Sequence, residues 1–197
     1  MTYILGLTGP IASGKSTVSD MFREHDIPVI CADEMAHELQ RQGTNEYTKI
    51  VHHFGESILK NGIISRNLLM EKLQQNPDDL HALENILHPA IQEEFKKEII
   101  ALEKQRKPLI VLDVPLLYTS PLQKICHGTV ACICPEDIRK ERAFERPNMD
   151  EEKWQFIVKK QPNNSEYENW ADYLINTNFS LSDVQKEVVT LIHNIVD

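Results

Sequence analysis

The chain has 197 residues, a length that suits one domain, or one core with insertions, and can bury a real hydrophobic core. Its 21 Lys and Arg against 30 Asp and Glu give a formal net charge of −9, which speaks against a general nucleic-acid binder but allows local positive charge for a phosphorylated small substrate. With no apolar run near the ~20 residues of a membrane span, no leader pattern ahead of the first strand, and no disulfide framework among Cys31, Cys126, Cys132 and Cys134, the expected setting is reducing and cytoplasmic, with no membrane partner.

Tyr3-Ile4-Leu5-Gly6-Leu7 is an apolar run that predicts a buried strand. Gly9-Pro10-Ile11-Ala12-Ser13-Gly14-Lys15-Ser16 follows and reads G-x-x-x-x-G-K-S. After it, Val18, Met21 and Phe22 recur at helical spacing. Strand, loop and helix N-terminus is the context a phosphate-binding loop requires. Backbone N–H groups of Ser13, Gly14, Lys15, Ser16 and Thr17 can hold phosphate oxygens. Lys15 adds a point charge at the β- and γ-phosphates, and the Ser16 hydroxyl is a ligand for Mg²⁺. Pro10 lacks an N–H but lies ahead of these donors, so it is tolerated and stiffens the loop.

Residues 27–31 read as a second strand, with Asp33 at its C-terminal end and a helix over 32–40. Ligands of open parallel α/β sheets bind outside the C-terminal strand ends, which places Asp33 near the phosphates if the two strands share a sheet. Its plainer role is a first-turn acid favoured by the helix dipole. From 44 to 106 the strand signal fades. A helix over 44–54 stops at Gly55, and Asn61-Gly62 marks a turn. Ser65 is a cap for a helix carrying Leu68, Leu69 and Leu73, ended by Pro77. Leu80, Leu83, Leu87 and Ile91 keep helical spacing, with Pro89 breaking or restarting that helix, and Ile91, Phe95, Ile99 and Leu102 continue it. Some sixty residues exceed a plain crossover of ~10–12 residues, so an acceptor-binding helical insertion is expected here.

Leu109-Ile110-Val111-Leu112-Asp113 is the clearest buried strand. Its terminal Asp113 can contact Mg²⁺ or the acceptor, or simply bond loop N–H groups. Another strand covers 128–134, where Cys132 and Cys134 read as buried apolar thiols because no second ligand pair has zinc spacing. On the helix predicted next, Arg139, Arg142 and Arg146 are spaced to share a face and could clamp an anion; Glu141 and Glu145 would otherwise make it a solvated face. Pro147 ends that helix, another runs from 150 to about 160, and Asn163-Asn164 breaks again, giving a helical lid. A last strand covers 171–176. Ser182-x-x-Gln185 reads as a capping box for a final helix with Val184, Val188, Leu191 and Ile195 buried.

Taken together, the chain resembles the dephospho-coenzyme A kinase family almost end to end. The specific segments are Leu83-Glu84-Asn85-Ile86-Leu87-His88-Pro89-Ala90-Ile91 and Asp113-Val114-Pro115-Leu116-Leu117. Gly6-Leu7-Thr8-Gly9 with Ser16-Thr17, Ala32-Asp33, Gly62 with Arg66 and Leu69, Arg142 with Arg146, and Ala171-Asp172-Tyr173 agree in order. The resemblance implies an α/β fold: a P-loop NTPase three-layer α/β/α core with a parallel five-stranded sheet over 1–43, 107–136 and 171–197. It adds a CoA-binding helical insertion over 44–106 and a lid over 137–170. It implies phosphoryl transfer from ATP to the 3′-hydroxyl of dephospho-CoA, with Mg²⁺ at Ser16. Asp33, Lys15 and Arg142 would be catalytic. ATP would be held by Ala12, Ser13, Gly14, Lys15, Ser16, Thr17, Arg142 and Arg146, and the acceptor by Asp33, Arg66, His88, Asp113 and Leu116. Partners would be these two substrates and no nucleic acid, on a monomer or weak homo-oligomer.

The chain departs from the family pattern at Cys31, Thr119, Arg139 and Thr177, where Asp, Glu, Gln and Asn are common. Thr119 bears on acceptor or metal positioning, and Thr177 on the adenine contact. The competing readings are another nucleotide-kinase-like enzyme with a different small acceptor, and an ATP-binding regulator without catalysis.

Overall fold

The computed structural model describes residues 1–147 and 149–196. The chain divides into two compact units: Met1–Ile30 with the chain from Ala101 onward, and Cys31–Ile100.

The first unit is built on a sheet. β1 (Tyr3–Thr8) enters the loop that ends at α1 (Lys15–Glu24), and β2 (Val29–Cys31) runs directly into α2 (Ala32–Leu39). The second unit continues with α3 (Asn45–Phe54), the two-residue strands β3 (Leu59–Lys60) and β4 (Ile63–Ile64), α4 (Arg66–Gln75) and most of α5 (Pro77–Lys104). The chain then returns through β5 (Leu109–Asp113), β6 (Gly128–Ile133), α6 (Glu136–Phe144), α7 (Glu151–Val158), α8 (Asn164–Trp170), β7 (Tyr173–Asn176) and α9 (Leu181–Val196). The sheet order is β2-β5-β1-β6-β7, with β1 parallel to both β5 and β6, and β6 parallel to β7. β5 is buried at every residue, and β1 and β6 nearly so. Such strands, covered on both faces, read as unbroken apolar runs.

Period-2 alternation selects one face of this sheet. Leu5, Leu7, Leu109, Val111, Val130, Cys132 and Ile175 pack with Val18, Met21 and Phe22 of α1 and with Val184, Val188 and Leu191 of α9. Each fully buried side chain of this size contributes about 1.5–3 kcal/mol, so α1, and with it the loop ahead of it, is seated firmly on the sheet. The cap of α9 differs from expectation. The Ser180 hydroxyl accepts the Asp183 N–H at 3.2 Å, and Asp183 accepts from that hydroxyl at 2.7 Å. The cap therefore stands two residues before Ser182 and four after the end of β7.

In the second unit, Ile50 and Phe54 of α3, Ile58, Leu69 of α4 and Leu87 of α5 form a separate core. Thr44 caps α3 by accepting the Tyr47 N–H at 3.0 Å. The Asn61-Gly62 turn closes a small antiparallel hairpin, which the composition around it did not announce. Both turn residues take positive φ, 54° and 79°, as a two-residue hairpin loop needs. Ser65 holds the N-cap position of α4, but its side chain makes no capping bond. Pro89 does not break the chain into two helices: α5 runs through it for 28 residues. A proline removes one backbone bond, here to the carbonyl of Asn85, and Leu83, Ile86, Leu87 and Ile91 pack on the local core across the gap. No helix is long and apolar enough to cross a membrane among the described residues.

Candidate functional site

The loop between β1 and α1 is held by its backbone conformation and by side chains from later in the chain. Gly9 (φ +154°) and Gly14 (φ +80°) take conformations that L side chains avoid. A Cβ at Gly9 would stand 2.6 Å from the Cys132 carbonyl oxygen. Ala12 also has positive φ, 59°. The Ser13 N–H donates to the Pro10 carbonyl at 3.2 Å, so the proline that cannot donate serves as an acceptor. Gly14 is the N-cap of α1 and contributes no side-chain bond. The first N–H groups of a helix have no intrahelical acceptor and carry its positive dipole end, and Ser16 and Thr17 in that turn are exposed. The loop therefore presents an anion-binding terminus.

Lys15 Nζ donates to Asp113 Oδ1. Their side chains are 14% and 4% exposed, so the pair is largely removed from water. Asp113 ends β5 beside Leu7 of β1, which brings two sequence-predicted residues together across 98 positions. The exposed Ser16 hydroxyl and the Asp113 carboxylate, both in the first unit, are hard oxygens of the kind that could hold Mg²⁺, which keeps water and takes only one or two protein ligands.

Gln161, Arg139 and Trp154 hold the loop. The Ile11 N–H donates to Gln161 Oε1 at 2.7 Å, and Arg139 Nη1 donates to the Ile11 carbonyl at 3.4 Å. Trp154, 1% exposed, packs with Ala12 and Ala143. The arginines do not form the shared face that their spacing predicts. α6 ends at Phe144 because Pro147 disfavours helical geometry at Arg146. Arg146 lies beyond the helix and is exposed. Arg139 is buried at 3%, 5.8 Å over the Trp154 ring, and burial pulls its pKa below the ordinary value, with Glu136 opposing. Arg142 lies between these extremes: Nη2 donates to the Thr177 carbonyl at 2.8 Å and Nη1 to the Thr177 hydroxyl at 3.3 Å. Sequence reasoning missed Gln161, Trp154 and this use of Thr177. Only the last carried any signal, as a departure from a familiar pattern.

A family model described as dephospho-CoA kinase matches residues 3–183. The chain belongs to the dephospho-CoA kinase family. A dephospho-CoA kinase of Bartonella quintana is 35% identical over 193 residues, 98% of each chain. Among solved structures, a Thermus thermophilus protein superposes with a TM-score of 0.84 at 26% identity, over 100% of this chain and 99% of that one. A dephospho-CoA kinase from Campylobacter jejuni superposes at 0.75 with 25% identity, over 100% and 98%.

The other sites expected of a dephospho-CoA kinase are distributed as follows. Asp33 lies exposed in the first turn of α2, two residues beyond the end of β2. Arg66 opens α4 and His88 precedes Pro89 inside α5, both exposed. These three belong to the second unit, and Lys15, Asp113, Leu116, Arg142 and Arg146 to the first. Leu116, three residues after the buried β5, is 46% exposed. Thr119 turns its hydroxyl back onto the Leu116 carbonyl at 3.1 Å. Tyr167 is buried, its hydroxyl bonded to Thr8, and burial pushes its pKa up to about 12. Cys132 and Cys134 are buried, and no cluster of three metal-ligating side chains occurs among the described residues.

Proposed function

We propose that this kinase transfers the γ-phosphoryl group of ATP to the 3′-hydroxyl of dephospho-CoA, giving coenzyme A and ADP, in the cytoplasm. The observation that carries this reading is the loop of β1 and α1, with Lys15 on the buried Asp113, in a chain that matches the family over residues 3–183. The triphosphate sits on the first-turn N–H groups of α1. Lys15 exchanges the Asp113 carboxylate for β- and γ-phosphate oxygens, which offer it the same charge-assisted bond. The Ser16 hydroxyl would hold Mg²⁺, whose charge, when bound, offsets that of the phosphates.

Asp33 accepts the proton of the 3′-hydroxyl as its oxygen attacks the γ-phosphorus. The bond from that phosphorus to the bridging oxygen breaks, and ADP leaves. Arg142 and Arg146 stabilise the charge spread over the transferring group. Arg66, His88 and Leu116 contact the acceptor. What supports this role is that Asp33 follows the C-terminal end of β2, since ligands of open parallel sheets bind beyond the C-terminal ends of strands.

An ADP-release assay with MgATP across acceptors tests this. Dephospho-CoA should be turned over far faster than nucleoside monophosphates, and the reverse order would overturn the assignment. Asp33→Asn should lower kcat by about 10²–10⁴-fold, the usual contribution of a positioned base, with little change in KM for ATP. An unaltered kcat would point to a role for Asp33 outside proton transfer.

A further inference from the structure

Thr177 follows β7 and is 7% exposed. Its N–H donates to the Ile133 carbonyl at 3.0 Å, which fixes its backbone on the end of β6. Its hydroxyl lies 2.6 Å from the Ser13 carbonyl oxygen and 3.3 Å from that of Ile133. A hydroxyl has one hydrogen, and the shorter approach assigns it to Ser13. The lone pairs then face Arg142 Nη1 at 3.3 Å, while Arg142 Nη2 holds the Thr177 carbonyl at 2.8 Å. One residue therefore sits between the phosphate loop and the arginine.

Two physical consequences follow from that position. The Ser13–Gly14 peptide is planar and trans, so pinning the Ser13 carbonyl toward Thr177 turns the Gly14 N–H the other way. That N–H is one of the donors at the head of α1. The approach is close: a Cβ on Gly14 would be 3.1 Å from Thr177 Cβ. A hydroxyl that accepts from a cation also becomes a stronger donor. The hold on Ser13 is thus strongest while Arg142 is docked on Thr177, and it relaxes when Arg142 leaves.

We propose that Thr177 is a positioning residue whose hydroxyl couples Arg142 to the Ser13–Gly14 peptide of the phosphate loop, so that nucleotide binding and the placement of Arg142 are linked. The proposal rests on the reading of residues 9–17 as the ATP phosphate site. Wild-type turnover of dephospho-CoA tests that reading separately. The test is a kinetic cycle on the full-length enzyme with MgATP and dephospho-CoA, using Thr177→Val, Thr177→Ser, Arg142→Ala and the Thr177→Val/Arg142→Ala pair. Thr177→Val keeps the shape and removes the hydroxyl. It should lower kcat/KM for ATP about tenfold, as expected for a lost hydrogen bond to a charged partner. Thr177→Ser should stay within about twofold of wild type, and the pair should be no more than about twofold worse than Arg142→Ala alone, because coupled residues are not additive. Thr177→Ala, which also lacks the hydroxyl but demands less space, should reproduce the loss if the valine folds poorly. The proposal is overturned if the hydroxyl-free variants match wild type, if serine is as impaired as valine, or if the losses of the pair multiply.

Discussion

Arg139 and Cys126 show how burial sets the chemistry of single side chains. Arg139 is adjacent in sequence to a charged helical surface, yet it lies beneath Trp154 with a bond to the Ile11 carbonyl. Its guanidinium is enclosed as a brace for the loop and is not free to meet an anion. Cys126 stands beside Gly6, and burial pushes its thiol pKa from 9.0 up to about 12. Cys132 is driven up as well, by burial first. A raised thiol pKa means that the folded chain retains its proton longer than the unfolded one. The associated stability is whole below pH 9.0 and is lost as pH rises toward 12. Since the thiolate is the reactive form, iodoacetamide at pH 8 should label Cys126 and Cys132 in the folded protein on the order of a hundredfold slower than in urea. Comparable rates, read by mass spectrometry, would show these thiols to be accessible.

At the scale of elements, α5 is the instructive case. Residues on both sides of Pro89 supply core contacts, and these hold a continuous helix against the local cost of a proline. That cost remains stored. Pro89→Ala should restore a donor for the Asn85 carbonyl and raise stability by about 1–3 kcal/mol. This would be read as a rise of about 2–4 °C in thermal midpoint per kcal/mol; a fall would mean that the proline ring itself makes packing contacts worth more than the bond. Because His88 is adjacent, a loss of dephospho-CoA turnover in the more stable variant would tie the local helix geometry to acceptor binding. α6 illustrates the opposite balance. With Pro147 close behind it and Ala143 packed under Trp154, it stops at Phe144, and the expected row of three arginines separates into a buried, a docked and an exposed residue.

The whole molecule divides its candidate site residues between two units. Lys15 and the loop amides belong to one, and Arg66 and His88 to the other. If the first serves the donor and the second the acceptor, single substitutions should separate the two Michaelis constants. Arg66→Ala should raise KM for dephospho-CoA about tenfold, as for a lost charge-assisted bond, and leave KM for ATP within about twofold; Lys15→Ala should strike ATP first. Steady-state kinetics with each substrate varied checks this, and a parallel rise in both constants for Arg66→Ala would contradict it.

The strands were legible because residues buried on both faces must be apolar throughout. The loop of residues 9–17 was legible because its glycines and lysine are required by backbone geometry and charge. β5 was read at its true bounds, 109–113, and the family followed from segments such as His88-Pro89 and Asp113-Val114-Pro115-Leu116-Leu117. The small hairpin at Asn61-Gly62 was seen only as a turn, since two-residue strands have too few positions to show alternation. The Lys15–Asp113 pair, the clasp of Arg142 on Thr177 and the cover of Ala12 by Trp154 join residues about 35 to 140 positions apart. Composition and periodicity act over a few residues, so the sequence by itself determined most of the longer elements, the phosphate loop and the family. Only the tertiary structure decided which distant side chains hold that loop, because those partners are chosen by packing across the sheet.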